Sequence, residues 1–401
     1  MPKVKTLKQK LAGASKATSN GKPRAPLWEG PESDGPNGGV TQSAIGQFLI
    51  CRERFRLKMI EGWREADQFQ HRTSYGDMWH VCEEALAGDG GGNILPRVET
   101  WLVPLKDHCT ELCRRYPMAQ EQVVHWMQVC KAQFPEYVRY WQQHPATEPS
   151  QPIAQEMLFN VPYKLPSGRT VRLRGKMDGV NLVGKGKAAG IYLMEHKTKG
   201  DIDEQQMRRQ LNFDLQTMTY LVVLTELQTQ PGQYRLGGEG IPRGVPILGV
   251  QYNVIRRPLS GGTGTIRRHK ATKNQPEETY EAFYRRLVDD YIAKEPEKWF
   301  MRWTVLISKQ DIERFKRECL DPILEQLCDW YSWITGEFNQ KNLFDCDGDV
   351  EGNRGANHHF RMPYGVYSPL LDGGATSLDE LLETGSELGL QRVNKLFKEL
   401  Q

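Results

Sequence analysis

The chain has 401 residues, 38% of them hydrophobic and 26% charged, with 53 Lys and Arg against 50 Asp and Glu. Ten Trp and 15 Tyr in this composition exclude a disordered or fibrous chain and allow one large or two ordinary folded domains. No apolar run approaches the roughly 20 residues of a spanning helix, the basic N-terminus lacks the apolar stretch of a secretory signal, and eight cysteines without a Cys-x-x-Cys pair fit a reducing cytoplasm, with no membrane partner expected.

Residues 1–40, rich in Gly, Pro and Lys, read as a flexible basic arm. Lys3, Lys5, Lys8, Lys10, Lys16, Lys22 and Arg24 meet no acid before residue 25. Such an arm either tracks phosphate or stays a solvated end. From Thr41, the residues Ile45, Phe48, Leu49, Phe55 and Met59 recur near helical spacing, with a Thr or Ser available as N-cap. Helices are also expected over 74–88 and, as one or two pieces, over 97–142, which makes 41–150 a helical region. The period then falls to two. Residues 153–165, 170–183 and 189–199 read as three strands joined by Gly-containing turns. A long amphipathic helix over 204–227 and a strand over 245–257 that rejoins the sheet complete a core spanning 151–275. The fold class is α/β (α+β), a mixed central sheet flanked by helices. Residues 276–401 read as a helical C-terminal extension, with helices over 277–338, a Gly-rich tail and a last helix near 377–400.

In GKMDGVNLVGKGKAAGIYLMEHKTKGD, residues 175–201, Asp178 and Glu195 stand with no acid between them, and Lys197 follows. Side chains alternate across a strand, so Glu195 and Lys197 share one face and His196 takes the other. A hairpin turning near 184–189 brings residues 178 and 195 nearly opposite each other. Two close carboxylates repel unless a cation lies between them, and oxygen ligands suit Mg²⁺ or Mn²⁺. Lys197 would then orient an attacking water or stabilise a phosphate's developing charge, as metal-assisted phosphodiester hydrolysis requires. The alternative is a solvated cross-strand ion pair. Against it, Met177, Val180, Leu193 and Met194 place the three charges within strands of buried character.

GKMDGV followed by YLMEHKTKGD resembles the core of the PD-(D/E)XK nuclease superfamily in its RecB-like branch, which includes the spacer-acquisition nucleases of CRISPR systems. SYGDMWH resembles that branch's helix with Gly76 and a metal-binding His80. QLNFDLQTMTY resembles its Gln…Tyr helix, through Gln216 and Tyr220, and SAIGQFLICRERFRL resembles its N-terminal element, through Ser43, Cys51 and Phe55. Together the motifs cover about residues 41–257. The resemblance implies a restriction-endonuclease-like core with His80, Asp178, Glu195 and the His196 backbone carbonyl as metal ligands. It further implies Lys197 as catalytic, and Gln216 and Tyr220 along the substrate channel. Glu156, on the first strand, is a further acid that could face this metal or a second one. Some members of the branch carry an iron–sulfur cluster on one N-terminal and three C-terminal cysteines. Here Cys51 is followed only by the scattered Cys319, Cys328 and Cys346, and His358 and His359 occupy the tail, so no cluster is expected and Cys51 reads as a buried apolar residue.

Other patterns carry less. DCDGDVEGN, 345–353, begins like a calcium loop, but its Gly is misplaced and Ala356 stands at position twelve. His108, Cys109, Cys113, His125 and Cys130 are too unevenly spaced for zinc, and GKGKAAG lacks the Lys-Ser/Thr ending of a phosphate loop. Trp299, Trp303, Trp330 and Trp333 fall at helical spacing and read as core. Arg256, Arg257, Arg267, Arg268, His269, Lys270 and Lys273 surround a Gly turn that could grip a DNA backbone; the alternative is a solvated basic loop. The expected function is a metal-dependent DNA nuclease, an exonuclease hydrolysing phosphodiester bonds in recombination, repair or phage DNA processing. Alternatives are a structure-specific or restriction-type endonuclease and a non-catalytic DNA-binding scaffold. No helicase motif is present, so a helicase, recombinase or annealing protein is a candidate partner beside DNA.

Overall fold

Alternation between two periods, near 3.6 and then 2, is realised in the computed structural model, which describes residues 25–88, 98–146, 148–211, 214–229, 241–258, 266–338 and 390–400. The N-terminal arm before residue 25 and the acidic 345–353 loop lie outside the described residues, as do Cys346, His358 and His359. In chain order come α1 (Gln42–Ile50), α2 (Arg52–Met59), β1 (Trp63–Glu65), α3 (His71–Gly88), α4 (Val98–Arg115) and α5 (Gln120–Gln143). There follow β2 (Ser150–Lys164), β3 (Thr170–Val183), β4 (Gly190–Lys199), α6 (Glu204–Leu211), α7 (Leu215–Thr229) and β5 (Ile247–Arg256). Last are α8 (Tyr280–Arg286), β6 (Phe300–Leu306), α9 (Lys309–Phe315), α10 (Asp321–Phe338) and β7 (Leu390–Arg392).

Five strands form one sheet in the order β2-β3-β4-β5-β6. β3 and β4 are antiparallel, β4 and β5 parallel, and β5 and β6 antiparallel, so this is the mixed sheet expected, with the late strand β5 rejoining beside β4. No described helix is long and apolar enough to cross a membrane.

The chain divides into two compact units, each built from discontinuous stretches. One comprises residues up to 67, 158–175 and from 314 onward. Its core is an aromatic cluster in which Trp28, Phe48, Phe55, Trp330 and Tyr331 meet edge to face. Thr41 caps α1 by accepting from the Ala44 N–H at 3.1 Å. Cys51 is buried and its sulfur accepts from the Arg54 N–H at the start of α2, the apolar role expected of it.

The other unit comprises residues 68–157 and 176–313. Tyr75, Trp79, Trp101, Trp126, Phe134 and Tyr137 of α3, α4 and α5 build its core, with Phe283, Trp299 and Phe300. The region 97–142 forms two helices. Cys82, Cys109 and Cys130 are buried in this core, where desolvation pushes the Cys109 thiol up to about 12; they pack as small apolar groups.

Three expectations are corrected. Residues 300–306 form β6 rather than helix: Trp299 caps a short 3-10 turn in helical backbone and Trp303 lies within the strand, so their spacing of four does not belong to one element. The helix expected over 204–227 is two helices, α6 and α7; Asp214 starts the second by accepting from the Thr217 N–H and, through its carbonyl, from Met218. In the helix expected near 377–400, residues 390–392 are a strand paired antiparallel with β1, Leu390 opposite Glu65, and 398–400 a 3-10 turn. Residues 377–389 lie outside the described part.

Candidate active site

β3 and β4 run antiparallel with Gly179 opposite Met194, which brings Asp178 and Glu195 to neighbouring positions on the same face. The two strands are locked there, since Asp178 Oδ2 accepts from the His196 backbone N–H at 2.8 Å. Glu195 is buried. Its Oε1 accepts from the Lys197 ammonium and from Gln216 Nε2 at 2.7 Å, and Gln216 Oε1 in turn accepts from Lys197 Nζ at 2.9 Å. Gln216 comes from α7, which packs on β4, and Tyr220, one turn further along, is buried beside it.

His80 arrives from α3, which lies against β4. The helix approaches closely because residue 76 is glycine: a Cβ there would stand 3.3 Å from Thr198 Oγ1. His80 Nδ1 lies 3.2 Å from Glu156 Oε1 and 3.9 Å from Asp178 Oδ1. Among the described residues, His80, Glu156 and Asp178 form a group whose ligand atoms all fall within 4.8 Å of one another. Lys176, which the sequence reading passed over, pairs with Glu156 Oε2. The signal was available, because residues 176 and 178 of one strand share a face.

The electrostatics are those of crowded acids. Burial, and then the Asp178 charge, push the Glu195 carboxyl up to about 8 against the pull of Lys197. Burial alone would lower His80, but the Glu156 hydrogen bond and the surrounding carboxylates outweigh it and raise the imidazole to about 9. Lys197 is likewise opposed by burial and held above its ordinary value by Glu195 and Asp178. The donor set fits a hard divalent cation: Glu195 Oε2 is buried without a hydrogen-bond partner among the described residues, beside a second carboxylate and an imidazole.

On the other face of β4, the His196 ring lies 3.9 Å from Glu83 Oε1 and meets the His80 ring edge to face. Burial lowers its pKa, and the neutral ring lies 2.8 Å from Asn253 Nδ2 of β5. That face borders a cavity of about 620 Å³ lined by Trp141, Asn181, Met194 and Arg302 among others.

The expected basic contacts are spread over different environments. Arg256 lies over the Trp299 ring and 3.6 Å from Asp201. Arg257 is buried and donates to the Arg72 carbonyl. Arg268 is held by the Glu278 carbonyl and Glu277 above Tyr280. Arg267 and Lys270 are exposed. The centre of this basic turn, 259–265, lies outside the described residues.

A sequence model of the PD-(D/E)XK nuclease superfamily matches residues 40–319, more than half of the chain. A search of curated proteins finds no match.

Proposed function

The chain belongs to the PD-(D/E)XK nuclease superfamily, and from that premise we propose that it is a metal-dependent deoxyribonuclease, an exonuclease that trims DNA ends in recombination, repair or phage DNA processing. The observation that carries the reading is the convergence of two carboxylates and a lysine, buried Glu195 foremost, on one face of the β3–β4 hairpin. A scaffold that only bound DNA would have no use for the raised Glu195 carboxyl, which costs stability wherever it ionises without a cation.

His80, Asp178, Glu195 and the His196 carbonyl would hold Mg²⁺ or Mn²⁺, which supplies charge neutralisation for the scissile phosphate and acidifies water. Lys197 then has two tasks. Its ammonium, clamped by Glu195 and Gln216, is fixed against rotation and presents a donor to the attacking water or the developing phosphate charge. Gln216 acts by bridging the carboxylate and the ammonium, which makes it a positioning residue in addition to a neighbour of the substrate channel with Tyr220. Arg256, Arg267, Arg268 and Lys270 would bear on the DNA backbone, the exposed Arg267 and Lys270 most directly, while buried Arg257 is held by the Arg72 carbonyl. Duplex unwinding would fall to a helicase, recombinase or annealing partner.

The test is cleavage of end-labelled linear duplex and single-stranded DNA with Mg²⁺, Mn²⁺ or EDTA, beside a closed circular control. Metal-dependent loss of the linear forms with the circle spared supports the exonuclease. Cutting of the circle makes the protein an endonuclease. Cleavage that survives both Asp178→Ala and Lys197→Ala overturns the site.

A further inference from the structure

Glu156 is the one described non-glycine residue with positive φ, at 47°, a backbone region that L side chains avoid. It lies within the span of β2 and points its carboxylate at both His80 and Lys176. By distance alone it would join His80 and Asp178 around a metal. Its two oxygens, however, are already engaged, Oε1 by His80 Nδ1 at 3.2 Å and Oε2 by the Lys176 ammonium. Of the acids paired here, Glu156 is matched by Lys176 and Glu195 by Lys197, which leaves Asp178 beside His80, neutral as any ligand must be, for a single divalent ion to meet.

We propose that Lys176 is a built-in cation of this site: it holds Glu156 outside the metal-ligand set, where Glu156 orients His80, and so restricts the site to one divalent ion. The inference rests on the metal site argued above. Lys176 is a positioning residue, and its partly exposed side chain, at 43%, allows substitution without opening the core.

Mn²⁺ binding to the full chain without DNA, followed by the electron paramagnetic resonance of the free ion, tests it. The wild type should take one Mn²⁺, Lys176→Arg one, Lys176→Met two, and Lys176→Met with Glu156→Gln one again. Two ions in the wild type, or one in Lys176→Met, overturn the role of Lys176 while leaving the metal site standing. No ion in the wild type, with Asp178→Ala as the baseline, overturns the metal site itself. Glu156→Gln in the otherwise native chain gives an independent reading should Lys176→Met fail to fold. It should still take one Mn²⁺, weakened by no more than the roughly 10–100-fold that loss of an orienting partner of a His ligand costs, whereas loss of binding to the Asp178→Ala baseline would make Glu156 a ligand and refute the proposal.

Discussion

Asn253→Leu should destabilise the protein without touching a single proposed ligand side chain. Asn253 is fully buried in β5, paired in register with His196. Its Nδ2 lies 2.8 Å from His196 Nδ1, 2.8 Å from the Tyr137 hydroxyl and 3.0 Å from Glu83 Oε1, and its Oδ1 accepts from Arg302 Nε at 3.3 Å. An amide nitrogen carries two protons, so these acceptors share them. Leucine has nearly the same shape and offers none. Glu83, itself buried, keeps the Trp79 indole at 3.2 Å but loses the amide, and the His196 ring loses its own donor. Stranding a buried acceptor costs about 1–3 kcal/mol, more when it is charged, so the expected total is about 2–4 kcal/mol. For a cooperative unit of roughly 200 residues that corresponds to about 4–16 °C in Tm. Thermal unfolding by circular dichroism in EDTA measures it. In a double-mutant cycle, Glu83→Gln should recover at least about 1 kcal/mol of the loss, because a neutral amide is less costly to leave unpaired. An Asn253→Leu protein that melts within a degree of wild type would refute the reasoning.

Glu195→Gln should abolish cleavage by roughly a hundredfold or more while improving the metal-free fold. The wild-type carboxyl, raised to about 8 from an ordinary 4.5, penalises the folded state progressively as pH rises through that window, so the variant's melting advantage in EDTA should grow from pH 5 to pH 8; a gap that does not grow counts against it. Glu278 has the opposite sign. The Arg286 hydrogen bonds, and then the His269 backbone N–H, hold its carboxyl down at about 2, so its contribution is full above about 4.5 and is lost as pH falls toward 2. The Tm difference between wild type and Glu278→Gln should therefore shrink between pH 5 and pH 3. Gly249→Ala should cost more than about 2 kcal/mol, since φ is 148° there and a Cβ would stand 2.0 Å from the Val305 carbonyl oxygen. Urea unfolding checks it, and a shift below about 0.5 kcal/mol would show that the strand relaxes.

Local chemistry was legible in the residues themselves. Alternation alone placed Glu195 and Lys197 on one face with His196 on the other, and the Gly-rich turn between β3 and β4 set the hairpin that makes Asp178 a neighbour. The boundaries of β3, residues 170–183, follow from its pattern to the residue. Periodicity is weaker where a spacing runs across the boundary of two elements, as at Trp299 and Trp303, or where the partner is distant, as in the β1–β7 pair that joins residues 65 and 390. The left-handed bend at Glu156, the Lys176 ion pair and the Asn253 network behind His196 belong to that second kind. A repeat of two or 3.6 residues decides which way a side chain faces, because that depends only on the backbone beside it. Which group it then meets depends on segments tens to hundreds of residues away, whose packing and hydrogen bonds are summed only when the tertiary structure forms.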